Sequence, residues 1–136
     1  CRVLALLLLL YMTPEQPRKP LYFVGSSKKA LQDMPGDVQD VFGSALLDAQ
    51  YGDHPDGARP FGEQVWREVM KLVEDHDGDT FRAAYTVAFE KAVYVLHVFK
   101  KKSKSGIKTP QPDKDLIEAR LKTAEQHYKR IYGKTK

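Results

Sequence analysis

The sequence predicts a single α+β domain: an antiparallel sheet with two helices packed on one face and a third helix after the last strand. Three observations predict it. Apolar residues recur at helical spacing before residue 50 and again after residue 113, and at strand spacing between. The breaks at Pro35-Gly36 and Asp77-Gly78 fall between periodic runs. With 136 residues, 42% of them hydrophobic and 29% charged, the chain holds about one domain of ordinary globular composition.

The elements follow in order. Residues 1–18 stand apart, because Val3 to Leu10 is an unbroken apolar run too short for a bilayer, which takes ~20 residues. No A-x-A-like cleavage site precedes the Pro14–Pro20 stretch, and the chain begins with Cys1. Residues 1–18 are therefore read as a disordered or spurious extension, with Met12 as the true start and a folded domain over 19–133. Leu21 to Val24 is a short β run ended by Gly25, and Ser26 and Ser27 are suited to cap a helix over Lys28 to Met34. After Pro35-Gly36, Val38, Val41, Phe42, Ala45, Leu46 and Ala49 form one helical stripe. Residues 51–62, with Gly52, Pro55, Gly57, Pro60 and Gly62, read as a loop.

From Val65 the period becomes strand-like. Val65–Glu74, Thr80–Phe89 and Ala92–Lys100 are rich in Val, Tyr and Phe, and Asp77-Gly78 is a hairpin signal between the first two. The helices are expected on one face of this meander, leaving the other for function. Residues 101–111 read as a basic loop. The last helix takes Asp113 as its N-cap, Gly133 as its stop and Ile117, Leu121, Ala124, Tyr128 and Ile131 as its seam.

Charge and cysteine content narrow the function. A lone cysteine, Cys1, rules out an internal disulfide, and no Cys/His group has zinc spacing, which suits a cytoplasmic protein. The net charge of +4 divides unevenly: residues 1–99 carry 10 basic against 14 acidic residues, residues 100–136 carry 12 against 4. The run Lys100-Lys101-Lys102-Ser103-Lys104 heads the basic part and suggests a polyanionic partner, although a solvated lysine-rich helix has the same composition.

The Asp75-His76-Asp77-Gly78-Asp79 cluster lacks the acidic ligand that a calcium loop carries at its twelfth position, so a hairpin turn is preferred to a metal site. On the first long strand Arg67, Val69 and Lys71 share a face. Arg82 is a lone cation in an apolar strand, so it either pairs with a carboxylate such as Glu68 or Asp79 or faces a solvent-filled site. His97 lies in Tyr94-Val95-Leu96-His97-Val98-Phe99, where a hydrogen-bonded core histidine and a catalytic one are equally consistent with the pattern. Strand parity puts His97, Phe99 and Lys101 on one face. An imidazole with an arginine and lysines suits RNA cleavage without metal, in which a ribose 2′-OH attacks the adjacent phosphate. Such a reaction needs a base, fixed cations and an acid. The same cations in a non-catalytic module would simply bind phosphate.

Four segments carry a family resemblance: Leu21-Tyr22-Phe23-Val24-Gly25-Ser26-Ser27-Lys28-Lys29, Pro35-Gly36-Asp37-Val38-Gln39-Asp40-Val41, Asp75-His76-Asp77-Gly78-Asp79-Thr80-Phe81-Arg82-Ala83-Ala84-Tyr85, and Tyr94 through Ser103. In that order and spacing, from Lys19 to about Tyr132, the chain resembles the RelE/ParE superfamily of type II toxins, in its phage-derived, HigB-like branch. The resemblance implies a RelE-like microbial RNase fold and a toxin that is a ribosome-dependent mRNA endonuclease with no metal or other cofactor. It implies a cognate helix-turn-helix antitoxin, the ribosome and mRNA as partners, and no membrane. Carried over, the catalytic positions are Lys71, Arg82 and Lys101, with His97 as the candidate base. Arg67, Lys100, Lys102 and Lys104 are the candidate RNA contacts. Some relatives carry a catalytic Tyr or His in a short C-terminal tail, where this chain has a helix bearing His127-Tyr128. Others inhibit gyrase on the same fold, and a phage remnant that binds only its antitoxin is a third possibility.

Overall fold

The computed structural model describes residues 18–55, 57–60, 69–101 and 111–133, with the backbone alone at Lys101. The N-terminal expectation, Arg67, Lys102 and Lys104 lie outside the described residues. The elements are β1 (Leu21–Phe23), α1 (Ser27–Gln32), α2 (Gly36–Gln50), β2 (Arg59–Pro60), β3 (Val69–His76), β4 (Asp79–Thr86), β5 (Val93–Lys101) and α3 (Gln111–Tyr132). They form the expected α+β domain around one five-stranded sheet, ordered β1-β5-β4-β3-β2. The meander β3-β4-β5 is antiparallel, while β1 joins β5 in parallel. The loop after α2 contains β2, which pairs with Met70 and Lys71.

Helices lie on both faces, contrary to the expectation of one covered face. The first face takes α1 and α2, where Val38, Phe42 and Leu46 pack on Leu72, Ala83 and Val95. The second takes α3, where Ile117, Leu121, Ala124 and Tyr128 pack on Ala84, Tyr94 and Leu96. Each large apolar side chain so buried contributes about 1.5–3 kcal/mol. The two seams hold except at one member each, since Val41 is 41% exposed and Ile131 53% exposed. Among the described residues no helix is long and apolar enough to cross a membrane.

The local signals were spent differently from the expectation at two helix starts. Ser26 sits at the α1 N-cap without a side-chain capping bond, and its Oγ instead accepts Arg120 Nη2 at 3.2 Å. Ser27 is buried and its Oγ donates to the Val95 carbonyl at 3.2 Å. Both serines tie α1 to the rest of the fold. Asp113 is not an N-cap but lies within the first turn of α3. At the hairpin Asp77 (φ 51°) and Gly78 (φ 83°) are both left-handed, as a type I′ turn requires. Gly133 (φ 85°) ends α3 with its N–H on the Lys129 carbonyl.

Candidate functional site

One irregularity decides where the candidate residues fall. Ala84 pairs with His97 and Tyr85 with Val95, so Leu96 is an extra residue in β5, a β-bulge. In an unbroken strand His97 would share the face of Val95, against α1 and α2, because side chains alternate with period two. The bulge shifts the parity, and from His97 onward β5 presents His97, Phe99 and the Lys101 position on the α3 side. That is the side on which β4 carries Arg82 and Ala84 and β3 carries Lys71 and Val73.

The register then sets out three cross-strand rows on this face: Lys71–Ala84–His97, Val73–Arg82–Phe99, and Asp75–Thr80–Lys101. Arg82 occupies the middle. Lys71, His97 and Lys101 are each one diagonal step from it, about 7–8 Å between backbones. The four positions expected to be catalytic therefore share one face. Lys100 does not join them: it pairs with Phe81 on the opposite face, and its Nζ lies 3.7 Å from Asp79 Oδ2. Asp79, one carboxylate considered for Arg82, is thus engaged by Lys100, and Glu68 lies outside the described residues.

Arg82 does not face an open, solvent-filled cleft. It is 4% exposed, and burial lowers its pKa from the ordinary arginine value. His97 is also largely enclosed. Its ring stacks on Phe99 with centroids 4.5 Å apart and planes 14° from parallel, and its Nε2 lies 2.8 Å from Asp113 Oδ1. Burial lowers the His97 pKa, and the hydrogen bond and charge of Asp113 oppose that shift without cancelling it. With Asp113 ionised, the neutral imidazole carries its proton on Nε2 and keeps a lone pair on Nδ1.

Two further residues build this site. Arg120 donates from Nη1 to the Leu96 carbonyl at 2.9 Å, so it satisfies the backbone at the bulge. Asp113 fixes the His97 ring. Both interrupt the α3 seam at helical spacing, Asp113-Ile117-Arg120-Leu121, and a charged residue on an apolar stripe is the signal that could have found them. In the Asp75–Asp79 turn Thr80 Oγ1 donates to Asp75 Oδ1 at 2.9 Å. Among the described residues no three His, Cys, Asp or Glu side chains are grouped to hold a metal. His127 and Tyr128 face the sheet, with His127 Nδ1 2.7 Å from the Tyr94 hydroxyl and the Lys91 N–H donating to the Tyr128 hydroxyl.

The family model described as phage derived protein Gp49-like (DUF891) matches residues 29–122. The chain belongs to the Gp49-like family. That family is a phage-derived, RelE-like one, which agrees with the coarser part of the resemblance. No curated protein matches the chain. The Gp49-like match runs from α1 into the middle of α3, and so spans the three rows, the bulge, Asp113 and Arg120.

Proposed function

We propose that this Gp49-like protein is the toxin of a type II toxin–antitoxin pair and cleaves messenger RNA on the ribosome. The observation that supports this best is the position of Arg82, one diagonal step from Lys71, His97 and Lys101 on a single face. In the proposed reaction a ribose 2′-OH attacks the adjacent phosphate in line and its proton passes to His97; the P–O5′ bond breaks, leaving a 2′,3′-cyclic phosphate and a 5′-hydroxyl whose oxygen takes its proton from water. Lys71, Arg82 and Lys101 stabilise the charge that grows on the phosphorane oxygens, and no metal takes part. Arg82 holds two oxygens through its fork while the lysines act as point charges. A histidine kept neutral near pH 7 is suited to the base role.

Arg82 is buried in the free protein, so the reading requires RNA to displace what covers it. The proposed partners are the ribosome and mRNA during cleavage and a helix-turn-helix antitoxin at rest.

The test is inducible expression of the wild type and of Arg82→Ala, with transcript 5′ ends mapped across the message pool. The reading expects growth arrest with new 5′ ends, both lost in Arg82→Ala. Growth arrest without new 5′ ends, unchanged by the substitution, would point to a non-enzymatic gyrase inhibitor. A folded protein that causes no arrest but still binds its antitoxin would be an inactive phage remnant.

A further inference from the structure

On the sheet face that α1 and α2 cover, a pocket of about 200 Å³ opens between the end of α2 and strands β3 and β4. Met70 and Tyr85 are register partners on this face, and Tyr85, only 1% exposed, forms the floor. Ala49 and Val87 complete an apolar wall with Met70. The mouth carries Lys19, which is half-buried, and the exposed Asp53 and His54. Buried hydroxyls ordinarily have a hydrogen-bond partner. Among the described residues that of Tyr85 has none, and burial alone pushes its pKa up to about 12. The mouth is held in place by α2. The Lys19 N–H donates to the Gln50 carbonyl at 2.8 Å, the Lys19 carbonyl accepts Gln50 Nε2 at 2.7 Å, and the Asp53 N–H donates to the Asp48 carbonyl at 2.9 Å. The side chains of Lys19 and Asp53 nonetheless form no ion pair among the described residues, with each other or with a third group.

We propose that this pocket binds a free α-amino acid whose short side chain ends in a hydrogen-bonding group. Each part of such a ligand answers one part of the pocket. Its carboxylate meets Lys19, its ammonium meets Asp53, its stem lies on Ala49, Met70 and Val87, and its tip pairs the Tyr85 hydroxyl. A plain anion would leave the Asp53 charge opposed to it, and a plain cation would do the same with Lys19. A zwitterion satisfies both. The volume equals that of roughly six or seven waters at ~30 Å³ each, which suits one amino acid and is too small for a nucleotide or a peptide. Tyr85 and Arg82 face opposite sides of the sheet, so this inference does not depend on the ribonuclease reading.

The experiment titrates the full chain by calorimetry with two shape-matched pairs, L-threonine against L-valine and L-asparagine against L-leucine. In at least one pair the polar member is expected to bind at least about tenfold more tightly, because only it pairs the buried hydroxyl. Tyr85→Phe should remove that preference without lowering the melting temperature, since the lost hydroxyl leaves no partner stranded. Lys19→Met and Asp53→Asn change only the mouth, so both variants should stay folded and should each weaken the polar ligand about tenfold. Absence of binding to the wild type, equal binding within both pairs, or a preference that survives Tyr85→Phe would overturn the proposal. So would an Asp53→Asn variant that binds as the wild type does, which would assign the pocket to a plain carboxylate.

Discussion

His97 Nε2 and Asp113 Oδ1 lie 2.8 Å apart, joining the end of β5 to the first turn of α3. The contact does two things at once. It anchors α3 over the sheet, and it fixes the tautomer and tilt of the only imidazole in the three rows around Arg82. Stability and the proposed chemistry are thereby coupled through one side chain.

The first prediction concerns that imidazole. Burial lowers its pKa, and Asp113 pulls the other way. Asp113→Asn keeps the shape of the contact but removes the charge, so the His97 pKa should fall further. An NMR titration of the His97 ring proton measures it directly. A value that rises in Asp113→Asn would mean that the Asp113 charge does not hold the His97 pKa up.

The same shift sets a pH dependence of stability. Below its unfolded value of about 6.5, His97 binds a proton more readily in the unfolded chain than in the folded one. The stability it contributes is therefore present above about pH 6.5 and lost as pH falls through the folded value. Melting curves of the wild type between pH 5 and 8 should show this loss, and His97→Gln should flatten it. A His97→Gln curve parallel to the wild type would place the acid sensitivity elsewhere.

Gly25 and Arg120 are also coupled. Gly25 has φ 60°, and a Cβ there would come 2.9 Å from Arg120 Nε. Gly25→Ala should therefore cost about 1–2 kcal/mol, from the left-handed backbone and from displacing the guanidinium. Arg120→Ala leaves the Leu96 carbonyl at the bulge without this donor, at about 1–3 kcal/mol. Because both changes disturb one contact, the double variant should lose less than the sum of the two. Additive losses in urea unfolding would show that Gly25 acts through its backbone alone.

Arg82 should be slow to react with an arginine reagent such as phenylglyoxal in the free protein, far slower than the exposed Arg59 and Arg130. Under the proposed function, Arg82→Lys keeps the charge but not the fork, and should lower cleavage by at least about tenfold. Cleavage by Arg82→Lys at the wild-type rate would reduce Arg82 to a general electrostatic role.

Much of this fold is written in local chemistry. The stripe from Val38 to Ala49, the Asp77-Gly78 turn and the Gly133 stop each depend on neighbours in sequence, and each appears where the pattern puts it. What depends on distant partners does not read so easily. Ser26, Ser27 and Asp113 have ordinary capping chemistry, but Arg120, Val95 and His97 claim their side chains. The site shows the same limit more sharply. Parity correctly grouped His97, Phe99 and Lys101, yet which face they take depends on Leu96, whose bulge has no glycine or proline to announce it. Without that one extra residue the group would lie on the other side of the sheet from Arg82.

The bulge leads to a last prediction, which separates two neighbouring lysines. Lys100 falls on the α1–α2 face, where it is half-exposed and bridges to Asp79 at 3.7 Å, while the Lys101 position falls in the row beside Arg82. An exposed pair of this kind contributes about 0.2–1 kcal/mol, so Lys100→Ala should lower the melting temperature only slightly. If RNA binds the Arg82 face, Lys100→Ala should also weaken RNA binding only slightly, through the loss of one distant charge. Lys101→Ala should weaken it much more and should lower the cleavage rate as well. Titrating each variant with a labelled single-stranded RNA at two salt concentrations makes the comparison. If Lys100→Ala proved the more damaging of the two, RNA would have to lie on the α1–α2 face, and the reading built on Arg82 would fall.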